Sequence, residues 1–436
     1  MSYLSSARQP VYSKLASTLL AGLFAFHTGL ATAGDLNIAD NALELATGVD
    51  PNIMILADDS GSMDWGIMGP GDEGVLYLGT LPYYYTHPAP DASGDAPSIN
   101  ADTWVVPTEE QLLNEGIAIA DQGGAWRAWN SDYNKVYYNP TVTYEPWSGQ
   151  DADGNAFTDI APDAAPYDPY NPGNGTIDLD DDGATNNYAT DCGTTACIAA
   201  NLHTGGTGVG LTVTDFYPAR YYTWPDSNDD NIVAAGEPHT LVEITTEDED
   251  EAQLQNFANW FSYYRKRDLA AKNAYSKVIE PATSARIGFA GINNNAGNRV
   301  QVKPMNVSAT SGNKLALLDE IFSTQPANGT PLRENLEAVG EYFACSDDNI
   351  FGTTTDLSPA EDPEDPATAN NCPVFVAPAG TCQQNFTIVM TDGFWNGSDP
   401  DVGNADEDGT GSFDGASFAD DDDDIENTLA FAAVKV

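Results

Sequence analysis

Two short oxygen-rich motifs each follow an apolar run that has the character of a buried β-strand. The runs are Pro51 to Ala57 and Phe386 to Met390. The motif residues that carry oxygen donors are Asp58, Ser60 and Ser62 in a D-x-S-x-S sequence and Asp392 in a T-D-G sequence. Ligand sites in open α/β sheets form where strands end, so these residues are expected to meet at one edge of a sheet.

A third loop, from Asn328 to Leu332, precedes a predicted helix and offers the Thr330 hydroxyl. Together the three loops supply two carboxylates and three hydroxyls, which are hard oxygen donors suited to Mg²⁺ or Mn²⁺. Such an ion keeps some water ligands, and a carboxylate from a partner protein can replace one of them. The sequence therefore predicts a metal site that takes part in binding.

An acidic stretch starting at Asp226 has the spacing of an EF-hand calcium loop. Acids or amides occupy positions 1, 3 and 5, and a glutamate occupies position 12. Asn231 replaces the usual glycine at position 6, which asparagine tolerates because it visits the left-handed region. The residues expected to bind Ca²⁺ are Asp226, Asn228, Asp230, Ile232 and Glu237. The alternative is a solvated acidic turn.

A second stretch repeats the first half of such a loop in D-x-D-x-D-G form. Its candidate Ca²⁺ ligands are Asp178, Asp180 and Asp182, but Ala189 stands where the final glutamate belongs. The pattern is therefore a weaker calcium signal, and a hydrated turn remains the alternative.

Net charge excludes two classes of partner. The 436 residues include 66 acidic and 16 basic ones, for a formal charge of −50, which argues against nucleic acid and anionic membrane surfaces. The chain has 4 histidines and neither a G-x-S-x-G nor a phosphate-loop motif. We therefore expect a binding protein and not an enzyme.

The N-terminus has the features of a signal peptide over residues 1–33. Arg8 and Lys14 precede the apolar run Leu15 to Phe26, and Ala31 to Ala33 is a small-x-small cleavage signal. The run is too short to span a bilayer, and no later segment is long enough. We expect an exported protein without a transmembrane helix in the mature chain.

The remaining pattern predicts an α/β fold. Apolar residues recur at steps of three or four from Glu251 to Ile279, which predicts one long helix. The other predicted elements are strands at 286–292 and 299–305, the second as an edge hairpin, helices at 314–322 and 331–343, and the start of a helix at 426–434. Alternation of strands and helices favours an open, mostly parallel sheet flanked by helices, which stops before it is complete.

Large insertions interrupt this sheet. The predicted segments are the signal peptide at 1–33, the first strand and metal loop at 34–63, an acidic, aromatic-rich insertion with short β pairings at 64–246, the resumed α/β domain at 247–344, a Cys/Pro-rich excursion at 345–384, and the last strand, acidic loop and helix start at 385–436.

Five cysteines lie in the exported part, where disulfides form. Cys192 and Cys197 could close a small loop, and Cys345 could pair with Cys382 or Cys372. The odd number leaves one thiol over, so spacing alone does not fix the pairing.

The three metal motifs resemble the metal-ion-dependent adhesion site of von Willebrand factor A domains, because they occur in that family's order on suitable elements. Further tracts narrow the resemblance to the PilY family of type IV pilus biogenesis proteins and tip-associated adhesins. They are Phe257 to Arg267, Arg286 to Phe289, Gly329 to Arg333, and Cys382 to Phe386 with Thr391 to Gly397. In that family a C-terminal β-propeller follows, and we expect this sequence to be either a fragment or a truncated product that stops before it.

The resemblance implies a von Willebrand factor A-like fold whose metal is held by Asp58, Ser60, Ser62, Thr330 and Asp392. It implies a non-catalytic role at the pilus tip, in the periplasm or on the outer surface, with minor pilins, the tip complex, or a host or abiotic surface as partner. Alternatives are an assembly scaffold whose metal only stabilises the loops, and a secreted hydrolase. The basic run Arg265 to Arg267 is interpreted as neutralising nearby acids rather than as a partner-binding patch.

Overall fold

The computed structural model describes residues 49–398 except 72–73, 79–80, 88–104, 107, 110–123, 181–187, 191–210, 214–216, 246–250, 294–296, 306–308, 347–348, 353–358, 360–371 and 394. The predicted signal peptide, the Cys192–Cys197 pair and the helix start at 426–434 lie outside the described residues. No described helix combines the length and the apolar character needed to cross a membrane.

The described residues form strands and helices in a mixed α/β arrangement. The strands are β1 (Asn52–Ala57), β2 (Leu76–Leu78), β3 (Leu81–Tyr83), β4 (Ala165–Pro166), β5 (Thr176–Ile177), β6 (Tyr188–Thr190), β7 (Leu211–Val213), β8 (Arg220–Thr223), β9 (Thr240–Glu243), β10 (Arg286–Gly291), β11 (Arg299–Pro304) and β12 (Asn385–Met390). The α-helices are α1 (Glu251–Tyr263), α2 (Arg267–Ile279), α3 (Gly312–Ser323) and α4 (Leu332–Phe343).

The central sheet has the strand order β11-β10-β1-β12. Strand β1 is parallel to both of its neighbours, and Ile55 pairs with Phe289 on one side and Ile388 on the other. Strand β11 runs antiparallel to β10 at the edge, which confirms the predicted hairpin. The carboxyl ends of β1, β10 and β12 therefore meet on the same side of the sheet.

Helices cover both faces of this sheet. Met54 and Leu56 of β1 point to a core shared with α4, whereas Ile55 and Ala57 point to a core shared with α2 and α3. Successive side chains of a strand point to opposite faces, so the unbroken apolar run of β1 fills both cores. This three-layer arrangement confirms the expected α/β class.

The prediction of one long helix from Glu251 to Ile279 is wrong, because the chain breaks between α1 and α2. Lys266 adopts an extended conformation at the start of α2. Its Nζ lies 2.8 Å from Asp64 Oδ1, and both side chains are buried. The break turns this cation inward to an acid about 200 residues earlier in the chain, a contact that helical periodicity cannot show.

The segment between β1 and α1 is held by small antiparallel pairs and an aromatic core, as predicted. Strands β2–β3, β4–β5, β6–β7 and β8–β9 each form a two-stranded sheet. Trp126, Trp129 and Tyr138 are fully buried and belong to the same cluster as Phe257 and Trp260 of α1. Helix α1 therefore packs against the insertion, while α2 packs against the central sheet.

One disulfide closes the excursion that precedes β12. Cys345 pairs with Cys372, with their Cα atoms 4.9 Å apart, which selects one of the two pairings that the spacing left open. Cys382 is exposed and is a free thiol. The bridge ties the end of α4 to the approach of β12.

We predict an acid-sensitive contribution from His87, which is buried among Tyr137, Phe257, Trp260 and Phe261. Burial lowers the pKa of His87 from 6.5 to about 3, so the folded state binds this proton less well than the unfolded state. The contribution of His87 to the free energy of unfolding is fully present above pH 6.5. It falls by about 1.4 kcal/mol per pH unit as the pH drops toward 3.

Urea unfolding of the wild type and His87→Gln at a series of pH values below 6.5 should show this slope in the difference between their free energies of unfolding, because the other titrating groups are common to both proteins. The glutamine is neutral and retains a donor for Pro218 O, which His87 Nε2 contacts at 3.0 Å. Parallel pH curves for the two proteins would contradict the prediction.

Candidate metal centre

The loop after β1 folds around the Asp58 carboxylate. Asp58 Oδ1 accepts a hydrogen bond from the Ser60 N–H at 2.9 Å, and a short 3₁₀ turn follows at Gly61–Asp64. The hydroxyl oxygens of Ser60 and Ser62 lie 3.2 Å apart. The hydroxyls of both predicted serines are therefore adjacent, and Ser60 is bonded to the buried carboxylate of Asp58.

The loop after β12 is joined to the same carboxylate. Thr391 Oγ1 donates to Asp58 Oδ2 at 2.7 Å. The next residue, Asp392, accepts from Arg267 Nη1 at 2.5 Å, and both of these side chains are about 95% buried. Asp392 is thus beside the predicted site, but it is also ion-paired.

The loop before α4 completes the arrangement. The Thr330 N–H donates to Asn396 Oδ1 at 2.9 Å, and the Asn396 N–H donates back to Thr330 O at 2.9 Å. Asn328 has a φ of 58°, a left-handed conformation that asparagine tolerates, and its carbonyl accepts from the Gly61 N–H. These bonds tie the third loop to the first and last ones.

A cleft of about 290 Å³ opens between the three loops. Its lining includes Ser60, Ser62, Thr330 and Asp392, with Trp65 and Trp395 among the residues around them. Asp58 lies beneath the cleft, bonded to Ser60 and Thr391. The structure therefore brings all five sequence-predicted residues to one place.

Burial shapes the electrostatics of this edge. It raises the pKa of Asp58, while hydrogen bonds from Ser60 and Thr391 oppose the shift and the charge of Asp392 adds to it. Ionised carboxylates that have lost their water favour a compensating cation. Two carboxylates and three hydroxyls around one cleft fit a small hard cation such as Mg²⁺ or Mn²⁺.

Asp59 is a residue that the sequence analysis did not single out. Its Oδ1 accepts from the Asn293 N–H at 2.7 Å, and its Oδ2 accepts from Asn298 Nδ2 at 3.1 Å. Burial raises the pKa of Asp59 to about 6. Through these bonds Asp59 joins the end of β1 to the turn after β10. In the sequence, only its position inside the D-x-S-x-S motif points to this role.

The acidic loop at Asp226 brings three carboxylates together. Oxygen atoms of Asp226, Asp230 and Glu237 lie within 4.8 Å of one another. Glu237 Oε2 accepts from Trp224 Nε1 at 2.8 Å and from the Ala234 N–H at 2.9 Å. Among the residues that the structure describes, buried Glu237 Oε1 has no hydrogen-bond partner, so this oxygen is available to a cation.

The other predicted ligands of this loop are placed differently. Asn228 Oδ1 accepts from the Asp230 N–H at 3.1 Å, so the amide braces the loop. The Ile232 side chain is 63% exposed, and its N–H donates to Asp230 Oδ1. Asn231 has a φ of 58°, which confirms that it takes the left-handed conformation expected at position 6.

The weaker acidic loop is described only in part. The Asp180 N–H donates to Asp178 Oδ1 at 3.2 Å, which is a local turn contact. Asp182 lies outside the described residues. Among the residues that the structure describes, no carboxylate cluster forms around Asp178 and Asp180.

Comparison with known proteins finds distant relatives along nearly the whole chain. The type IV pilus biogenesis factor PilY1 of Pseudomonas aeruginosa strain UCBPP-PA14 is 26% identical over 407 residues, 90% of this chain. The protein of the same name from strain PAK is 23% identical over 437 residues, 95% of this chain.

The chain spans 27% and 30% of the lengths of these two relatives. No family model matches the chain, and no solved structure matches it.

We predict that Gly291→Ala disrupts the clamp formed by Asp59. A Cβ at residue 291 would overlap the Asp59 carboxylate, whereas one at Gly297 would meet no atom within 4 Å. Forcing the carboxylate away from Asn293 and Asn298 should lower the free energy of unfolding by about 2 kcal/mol. Gly297→Ala is the control in chemical denaturation, and equal stabilities of the two variants would contradict the role given to Asp59.

Proposed function

We propose a function for this chain from one premise: it is a distant member of the PilY family of type IV pilus biogenesis factors. The names of these relatives support a role for this chain in type IV pilus biogenesis. We propose further that the chain acts there as a non-catalytic, cation-dependent binding protein. The observation that carries this proposal is the cleft in which four predicted ligands meet above the buried Asp58.

In this proposal the cleft holds Mg²⁺ or Mn²⁺. Ser60, Ser62, Thr330, Asp58 and Asp392 would hold the ion directly or through water, as in a von Willebrand factor A-like adhesion site. When bound, the metal would supply Lewis acidity toward one further oxygen ligand. A carboxylate of the partner would serve as that ligand in place of a water, which suits an ion that keeps part of its hydration shell.

The proposed partners are minor pilins or other components of the pilus tip, or a ligand on a host or abiotic surface. The chain would be exported and act in the periplasm and at the outer surface. The scaffold alternative draws support from the loop contacts, since Thr391, Thr330 and Asn396 already hold the three loops together. A metal would then add stability without contacting a partner.

We propose a second cation, Ca²⁺, in the loop between β8 and β9. Asp226, Asp230 and Glu237 supply carboxylates, and the free oxygen of Glu237 favours an ion over a solvated turn. Trp224 and Ala234 orient the glutamate from the protein side. The ion would stiffen the insertion near Ala235, whose carbonyl accepts from Trp126 Nε1.

For the adhesion site, Asp58→Asn should weaken Mn²⁺ binding at least tenfold, about 1.4 kcal/mol, because it removes a buried ligand charge without changing shape. The fold should survive, since burial already disfavours the charged form of Asp58. Calorimetric titration measures the affinity, and circular dichroism checks the fold. Asp163→Asn, in an exposed turn, is the charge-matched control.

Pilus assembly in cells that carry only Asp58→Asn separates the two hypotheses. Lost metal binding with reduced surface pili supports the binding role. Lost metal binding with normal pili favours the scaffold, and undiminished Mn²⁺ affinity would contradict a metal site at Asp58.

For the calcium loop, Glu237→Gln should lower Ca²⁺ affinity at least tenfold, because the charged carboxylate that faces the site becomes a neutral amide. Asp229→Asn makes the same charge change at position 4, outside the ligand ladder, where a φ of 56° suits asparagine. It should leave the affinity nearly unchanged. Identical calorimetric isotherms for the two variants would argue against the loop.

A further inference from the structure

Arg267 places a fixed positive charge at the edge of the metal cleft. Its side chain is 4% exposed and pairs with Asp392 through Nη1. Nε and Nη2 donate to Ile67 O at 3.1 and 2.7 Å. The guanidinium also lies over the Trp65 ring, 4.9 Å from its centroid.

Those contacts immobilise the guanidinium beside a predicted metal ligand. A Cβ at Gly74 would lie 2.7 Å from Nη2, so the backbone on that side closes around the arginine. An arginine keeps its charge at every accessible pH. A cation that enters the cleft is therefore repelled by a positive charge that persists at every accessible pH.

The summed charge of the two predicted carboxylate ligands and the arginine paired with one of them changes sign when a divalent cation binds. Asp58 and Asp392 contribute two negative charges and Arg267 one positive charge, so this group of three carries one net negative charge. A divalent ion would turn it into one net positive charge. Without the arginine, the same two carboxylates and the ion would sum to zero.

We infer that Arg267 is the charge-setting residue of this metal centre: it weakens cation binding and makes the loaded centre select an anionic group over a neutral one. The inference rests on the proposed adhesion site. In this inference, the positive charge that attracts a partner carboxylate comes from both the bound ion and Arg267. The cost is a lower affinity for the ion in the absence of a ligand.

Mn²⁺ titration of the full chain tests the first part of the inference, that Arg267 weakens cation binding. Arg267→Gln removes the charge and retains N–H donors for Ile67 O, so it should bind Mn²⁺ about tenfold more tightly than the wild type. Arg267→Lys keeps the charge and should bind less tightly than Arg267→Gln. Equal or weaker binding by Arg267→Gln would overturn the inference.

Anion selectivity is tested with acetate as the probe and acetamide as the neutral control. Acetate should raise the Mn²⁺ affinity of the wild type by a larger factor than that of Arg267→Gln, because a ligand that binds the loaded centre is linked to ion binding. Acetamide should have little effect on either protein. Equal acetate factors in the two proteins would overturn the selectivity argument.

Two further comparisons complete the test. One applies if Arg267→Gln misfolds, and the other separates failure of this inference from failure of the proposed function. If Arg267→Gln does not fold, the double variant Arg267→Gln/Asp392→Asn removes the ion pair as a unit. It should then bind Mn²⁺ more tightly than Asp392→Asn alone, and weaker binding would overturn the inference. Wild-type Mn²⁺ binding that is insensitive to Asp58→Asn overturns the adhesion site itself, whereas sensitivity to Asp58 without sensitivity to Arg267 overturns only the inference.

Discussion

Buried negative charge at the carboxyl edge of the central sheet is the constraint on which the surrounding structure depends. Asp58, Asp59 and Asp64 are each at least 95% buried within one short stretch after β1. A carboxylate removed from water is tolerated only with hydrogen bonds, a counter-charge or a bound cation. Asp64 has a counter-charge, whereas Asp58 and Asp59 have hydrogen bonds.

Asp64 and Asp392 are neutralised by Lys266 and Arg267, which stand at the break between α1 and α2. The interruption of the helix, where sequence periodicity continues, therefore places two basic side chains next to these acids. The same two ion pairs join the start of α2 to the loops after β1 and β12. Asp59 is instead satisfied by Asn293 and Asn298, which fixes the turn after β10. Asp58 has hydrogen bonds from Ser60, which lines the cleft, and from Thr391, and it forms no direct ion pair with a described residue.

Much of this arrangement could be predicted because it follows from local patterns. The unbroken apolar run of β1 predicted a strand buried on both faces, and the oxygen-rich motifs predicted that Asp58, Thr330 and Asp392 would meet. Tertiary contacts could not be predicted in the same way. The Lys266–Asp64 pair joins residues 202 apart, and no periodicity reports such a pairing. The choice of Cys372 over Cys382 likewise depends on the path of the chain between α4 and β12.

The central claim is that the cleft at the end of β1 and β12 is a cation site. The most direct test is anomalous X-ray diffraction from crystals of the chain grown with Mn²⁺. We expect an anomalous peak in the cleft, with the hydroxyls of Ser60 and Ser62 in the coordination shell of the ion. A cleft without a peak at saturating Mn²⁺, with Asp392 still paired to Arg267, would contradict it.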